Sequence, residues 1–267
     1  MKSLLHIVCD YAPGDLAFSE VCSALACHLP PQFVWQLTSV PNFETVATGF
    51  IVSQLGMQSA ELRPDELVIY ANCAPRKDRT LARVNNEGEG LLYGVLSNGV
   101  PVIVVNSGYS LSFVREDLRE LWSVDVTTGG SQFRSRDIFP PIVGKVACGH
   151  INFLKERLNP LEVVPAVPQL CVAYVDSFGN LKTTVRTGDK LVNGLKAGQR
   201  VSARINGVRF AMTVATGSFN VREGDIAFAP GSSGGDRRYW EIFQRGSSAW
   251  DTFRRPCSGA QIEIEQA

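Results

Sequence analysis

The hydrophobic pattern of this chain changes character once, near residue 158, and that change limits the fold more than any single residue does. Before it, continuous apolar runs alternate with stretches whose apolar residues recur at helical spacing. "LLHIVCDY" is a compact apolar run that ends at an acid. "LAFSEVCSALACHL" then has helical spacing until the prolines at 30 and 31 stop it. "FVWQLTSV" reads as a second strand, "FETVATGFIVSQLG" as a second helix ending at Gly56, and "ELVIYANCAP" and "VPVIVVNSG" as further strands. "LSFVREDLRELW" has the spacing of a helix, and "RDIFPPIVGKVACGHI" opens another, with proline near its start. Strands apolar on both faces and alternating with helices predict an α/β domain around a mostly parallel sheet. "RLNPLEVVPAVPQL" carries three prolines and reads as a linker, or as a strap along the first domain. Beyond it come short alternating strands, "CVAYVD", "LKTTVR", "RVSARING", "VRFAMTVAT", "DIAFAPG" and "YWEIFQRG", separated by glycine-containing turns. That pattern predicts a small β-barrel or sandwich. The expected division is an α/β domain over 1–160, a linker over 161–169 and a β-barrel domain over 170–267.

Composition narrows the function. The formal net charge is zero, so nothing marks a nucleic-acid footprint. No run approaches the roughly 18 apolar residues of a membrane span. The N-terminus lacks a small-residue cleavage site, and Asp10 closes its apolar run, which fits a buried first strand better than a signal peptide. Seven cysteines, an odd number without a CxxC pair, point to a reducing, cytoplasmic setting with no disulfide framework and no zinc site. His6, His28 and His150 are scattered, and no metal ligand set is expected.

Phosphate-loop, nucleophile-elbow and HExxH motifs are absent, so the chemistry must lie in weaker constellations. In sheets of this class ligands gather beyond the carboxyl ends of the strands, where Asp10, Asn72 and Asn106 fall. In "CDYAPGD" a strand-end carboxylate, Asp10, can accept both hydroxyls of a ribose, while Asp15 suits a helix cap. "QFRSRDIF" gathers Phe133, Arg134, Ser135 and Arg136, either for a ligand or for an Arg136–Asp137 network. "DSFGNL" is a turn, or a wall on which Asn180 reads an adenine edge beside the ring of Phe178. "PGSSGG" can form a nest of backbone amides.

Taken together and in order, these segments resemble the S-adenosylmethionine hydroxide adenosyltransferases, relatives of the fluorinase and chlorinase enzymes. The carriers are Asp10 and Asp15, "SQFRSRDIF" against the family's "STFHGRDIF", "DSFGNLKTT" against "D-x-FGNL-x-TN", and "GSSGGDRRYWEIFQRGSSA" against "GSSGxLEIAxNxGSA". The resemblance spans nearly the whole chain. It implies a homotrimer whose sites lie between the N-terminal domain of one subunit and the C-terminal domain of its neighbour. S-adenosylmethionine would be the substrate, with no metal or redox cofactor. Asp10 would hold the ribose hydroxyls, and Phe133 and Ser135 would lie near the ribose and C5′. Asp176 would meet the methionine amino group. Phe178 and Phe219 would flank adenine, Asn180 would read its edge, and Ser232 and Ser233 would serve the adenine and methionine end.

The chain departs from the family where water is activated. The acid of "VDPGVG" becomes Asn72 in "YANCAPRKD", the His of "FHGRD" becomes Arg134, and "GPDNG" becomes "VVNSG" with Asn106. The family's arginine falls on Arg79 by ungapped spacing, with Arg76 and Arg83 as rivals. The expected activity is substitution at C5′, with water giving adenosine and L-methionine. The alternatives are a nucleoside-binding protein that has lost turnover, a halide-using adenosyltransferase, and an assembly module without a small ligand.

Overall fold

In the computed structural model, which describes residues 3–57, 64–74, 81, 88–127, 131–234 and 237–266, the first apolar run forms β1 (Leu4–Cys9), buried along almost all its length. It lies between β2 (Val34–Ser39) and β3 (Leu67–Asn72), parallel to both. The sheet continues through β5 (Pro101–Val105), β4 (Leu91–Leu96), β6 (Leu118–Val124) and β7 (Leu154–Arg157), in the order β2-β1-β3-β5-β4-β6-β7. Strands β2, β1, β3, β5 and β6 point one way, and β4 and β7 the other. Every residue of β3, β4 and β5 is buried, as their unbroken apolar runs require.

Helices α1 (Leu16–Ala26), α3 (Arg134–Asp137) and α4 (Pro140–Ala147) follow the sequence pattern. Asp15 caps α1 by accepting from the Ala17 amide at 2.8 Å. Phe18, Val21 and Leu25 of α1 and Ile142, Val143 and Val146 of α4 share one core with Leu5, Ile7, Val68, Tyr70 and Ile103. Helix α2 (Thr45–Met57) packs against Ile69 and Leu96, whose side chains alternate away from that core. Gly56 lies inside α2 rather than closing it. A Cβ there would meet Leu96 Cδ1 at 2.6 Å, so the glycine serves close packing.

One helix expected from spacing is not there. "LSFVREDLRELW" becomes a single 3-10 turn at Ser112–Val114 followed by strand β6. Pairing with β4, Tyr93 opposite Trp122 and Gly94 opposite Leu121, overrides the local periodicity. The proline-rich stretch holds a short helix, α5 (Pro160–Val163), capped by Asn159.

The chain divides into two compact units, Met1–Ala166 and Val167–Ala267. The second contains β8 (Val172–Val175), β9 (Leu181–Arg186), β10 (Arg200–Ile205), β11 (Val208–Val214), β12 (Ile226–Pro230), β13 (Tyr239–Gln244), the short helix α6 (Ala249–Thr252) and β14 (Glu263–Gln266). The sheet order is β14-β10-β11-β12-β13-β9-β8, and only β11 and β12 run parallel. Burial alternates along β9, as its sequence does. The sheet curls until its ends meet. Cys171, just before β8, bridges Gln261, just before β14. The Val172 amide donates to Ala260 O at 2.9 Å and the Ile262 amide to Leu170 O at 2.9 Å. The enclosed core holds Leu181, Val201, Met212, Phe228, Ile242 and Phe253.

Candidate functional site

In the first unit, β1 and β3 end in register, Cys9 opposite Asn72. Asp10 therefore stands at the carboxyl rim of the parallel strands and is only 3% exposed. Its Oδ2 accepts from the Phe43 amide at 3.1 Å and the Ala74 amide at 3.0 Å, with the Cys73 thiol at 3.8 Å. Its Oδ1 is buried and has no hydrogen-bond partner among the described residues. One oxygen is thus fixed by the backbone while the other keeps its lone pairs for something else. A buried acceptor left unmade is costly, so such an arrangement calls for an explanation.

Tyr11 ties this rim together, although sequence reasoning passed over it. Its hydroxyl lies 2.8 Å from Ser135 Oγ, and the buried Asn72 side chain is near enough to pull its pKa down. Its ring meets Phe133 edge-on, with centroids 6.1 Å apart. Burial above all raises the Tyr11 phenol above its usual range, against the pull of Ser135 and Asn72. The same cause pushes the Cys9 and Cys73 thiols up to about 12. Asp10, Asn72, Phe133 and Ser135 are thus brought together around one phenol. The signal was its place directly after Asp10.

Arg134 is 8% exposed, and its Nε, Nη1 and Nη2 are buried without a hydrogen-bond partner among the described residues. Its guanidinium carbon lies 5.2 Å from the centroid of the Phe139 ring. Burial lowers its pKa, while the charge of Glu89 acts in the opposite direction. Arg136 fits the structural reading instead. It pairs with Asp137 at 2.6 Å and Glu20 at 3.0 Å, and lies 4.7 Å from the Phe133 ring centroid. Asn106 ends β5 and is exposed. Arg79, Arg76 and Arg83 lie outside the described residues.

In the second unit, the corner between β8 and β9 is closed on itself. Asp176 Oδ1 accepts from the amides of Phe178 and Asn180, both at 3.0 Å. Its Oδ2 accepts from Asn180 Nδ2 at 2.9 Å and lies 3.2 Å from Lys182 Nζ. Lys182 also pairs with Glu241. Burial raises the Asp176 carboxyl, but the Asn180 hydrogen bonds and Lys182 outweigh it and the net shift is downward. For Lys182, burial lowers the ammonium, but Glu241 and then Asp176 outweigh it and the net shift is upward. Gly179 turns the corner at φ +76°, and a Cβ there would meet Ser248 Oγ at 2.3 Å. Lys182 and Glu241 escaped the sequence reading because they stand on two strands that only the folded sheet brings side by side.

Phe178 and Phe219 are 78% and 85% exposed. Both sit on loops at one end of the barrel, where β9 and β12 begin and β13 ends. Arg245 covers the Phe219 ring at 5.5 Å. Ser232 and Ser233 are exposed in the β12–β13 connection. The adjoining Gly231 lies close to the carboxylate pair, since a Cβ there would be 3.5 Å from Glu241 Oε2. Among the described residues no group of three or more His, Cys, Asp or Glu side chains could hold a metal ion. No described helix is long and apolar enough to cross a membrane.

No protein-family model and no curated protein matches the chain. Several solved structures share its fold, among them two crystal structures. An uncharacterized conserved protein from Thermotoga maritima matches with TM-score 0.76 and 18% identity, over 97% of this chain and 99% of that one. A conserved hypothetical protein from Thermus thermophilus matches with TM-score 0.69 and 17% identity, over 100% of both chains. At these identities the likeness concerns the fold alone.

Proposed function

We propose that the protein binds S-adenosylmethionine through its adenosyl group and catalyses substitution at C5′, water yielding adenosine and L-methionine. The observation that supports this reading is Asp10, with one carboxylate oxygen fixed by two backbone amides and the other buried and open. A ribose diol supplies the donors that such an oxygen lacks. Asn72, Tyr11 and Ser135 then line the approach to C5′ with neutral polar groups. In the reaction the water oxygen bonds to C5′, the C5′–S bond breaks, and sulfur keeps the electron pair. The water's proton passes to solvent, because Arg134 stays protonated and Asn72 is no base. A sulfonium is already a good leaving group, so positioning and desolvation of the nucleophile carry the rate. The family resemblance assigns the adenine wall to the barrel of a neighbouring copy in a homotrimer, and that assembly is part of the proposal.

A second reading, a nucleoside-binding protein without turnover, is favoured by one observation. The side chain in place of the family's acid is a neutral, buried amide, Asn72, which cannot take a proton from water. Incubation with S-adenosylmethionine, followed by chromatography for adenosine and methionine, separates the two when run beside calorimetry with adenosine. Equimolar products above an enzyme-free control support hydrolysis. Binding without product selects the second reading. Absence of binding by either nucleoside rejects both.

A further inference from the structure

We infer that the first unit carries an oxyanion subsite centred on the Arg134 guanidinium, a binding site distinct in chemistry from the ribose contact assigned to Asp10. Three nitrogens of one cationic group are buried there without a hydrogen-bond partner among the described residues. A guanidinium is the side chain that most needs such partners, because all its donors are fixed in one plane and it does not shed its proton. Elsewhere in the chain the exposed arginines find carboxylates, as Arg136, Arg209 and Arg255 do. Arg134 has no ion pair among the described residues, although the charge of Glu89 acts on it.

The surroundings are shaped to hold the side chain in place without neutralising it. Phe139 supports the guanidinium. Gly88 lets the backbone approach the stem, since a Cβ there would fall 2.4 Å from Arg134 Cδ and 2.8 Å from Nε. Next along the chain, Ser135 is also buried, with its hydroxyl on Tyr11. A flat fork of donors matches the paired oxygens of a carboxylate or phosphate, which accept two parallel hydrogen bonds. A spherical halide uses the charge but not the fork. The ligand class is therefore an oxyanion, either free in solution or borne by a nucleotide.

Thermal unfolding and calorimetry of the full chain, with sodium phosphate, adenosine 5′-monophosphate, adenosine and sodium chloride at matched ionic strength, test the inference. Phosphate or the monophosphate should raise the melting temperature and bind, with chloride giving neither effect. A response to phosphate alone identifies a free oxyanion as sufficient, and a response to the monophosphate only places the oxyanion on the nucleoside. R134K keeps the charge and loses the fork, and should weaken binding about tenfold. R134M should lose the response yet match or exceed the wild type in stability in anion-free buffer, because replacing an unpaired buried charge by an apolar side chain relieves its desolvation. G88A, which crowds the stem, should weaken binding while leaving the charge. The inference is overturned if chloride acts as phosphate does, if R134M keeps the response, or if no oxyanion binds. Adenosine binding is read separately, so its loss bears on the proposed function and not on this subsite.

Discussion

The rim around Asp10 and the corner around Asp176 are both strand-end carboxylates beside a turn, yet they differ in what they leave undone. At the corner, two amides, a carboxamide and an ammonium fill both oxygens of Asp176. At the rim, Oδ1 of Asp10 and all three nitrogens of Arg134 are buried and have no hydrogen-bond partner among the described residues. The corner looks after its own stability, whereas the rim leaves buried polar groups unpaired among those residues. A carboxylate in a suggestive motif is therefore weak evidence of binding until its lone pairs are counted. By that count the first unit holds the stronger half of the proposed site.

The largest expected effect falls on the rim. D10A should weaken adenosine binding about 100-fold, the worth of two hydrogen bonds to a charged group. It should also destabilise the first unit by about 2–3 kcal/mol through the stranded Phe43 and Ala74 amides. Calorimetry and denaturant unfolding measure the two, and unchanged affinity would remove the contrast. D176A should invert the pattern, destabilising the second unit by about 2–3 kcal/mol while leaving the adenosine affinity of the first within threefold. G179A should cost about 1–3 kcal/mol in the same unit, from the backbone strain of φ +76° together with the Ser248 clash.

The pH dependence sharpens the comparison. The folded Asp176 carboxyl sits below its ordinary 3.8, so its stabilisation is complete above that value and is lost as pH falls through the folded one. Lys182 sits above its ordinary 10.5, so its contribution is full below that value and is lost as pH rises through the folded one. D176A should therefore flatten the acid limb of unfolding for the second unit. K182M is the direct challenge to a self-contained corner. If Asp176 serves only the turn, the ratio of S-adenosylmethionine to adenosine affinity stays within about twofold. A large rise in that ratio would mean that Lys182 occupies the place of a substrate ammonium. The smallest effect is chemical. Iodoacetamide should label the exposed Cys27, Cys148 and Cys257 and spare Cys9 and Cys73, whose thiols are pushed up to about 12. Peptide mass spectrometry reads this.

The strands of the first sheet were legible because β1, β3 and β5 are apolar throughout, a pattern set by burial on both faces. Strand β6 was not, because its leucines fall at helical spacing and only β4 across the sheet decides the matter. Strand β4, "LLYGVL", escapes notice although Gly88 and Gly90 precede it and the Asn98–Gly99 turn joins it to β5, because it is a short apolar run without alternation. In the site, Asp10, Asn72, Phe133 and Ser135 were readable one by one from position and resemblance. Tyr11 was not, because its role depends on Ser135, 124 residues away in the chain. The self-sufficiency of Asp176 has a different source, since its partners Phe178, Asn180 and Lys182 are all near in sequence and only the closing of the turn decides that they meet it.

The stitching of Cys171 to Gln261 has a consequence for biosynthesis. One side of the first strand of the second unit pairs at once with β9, but the other waits for Gln261, which is made 90 residues after its partner Cys171. During translation the first unit can finish folding while the second still presents two open edges, a condition that invites mispairing between nascent chains. The residues around Gln261 thus act as a clasp, and the interval before they arrive is when the protein is most exposed to going astray.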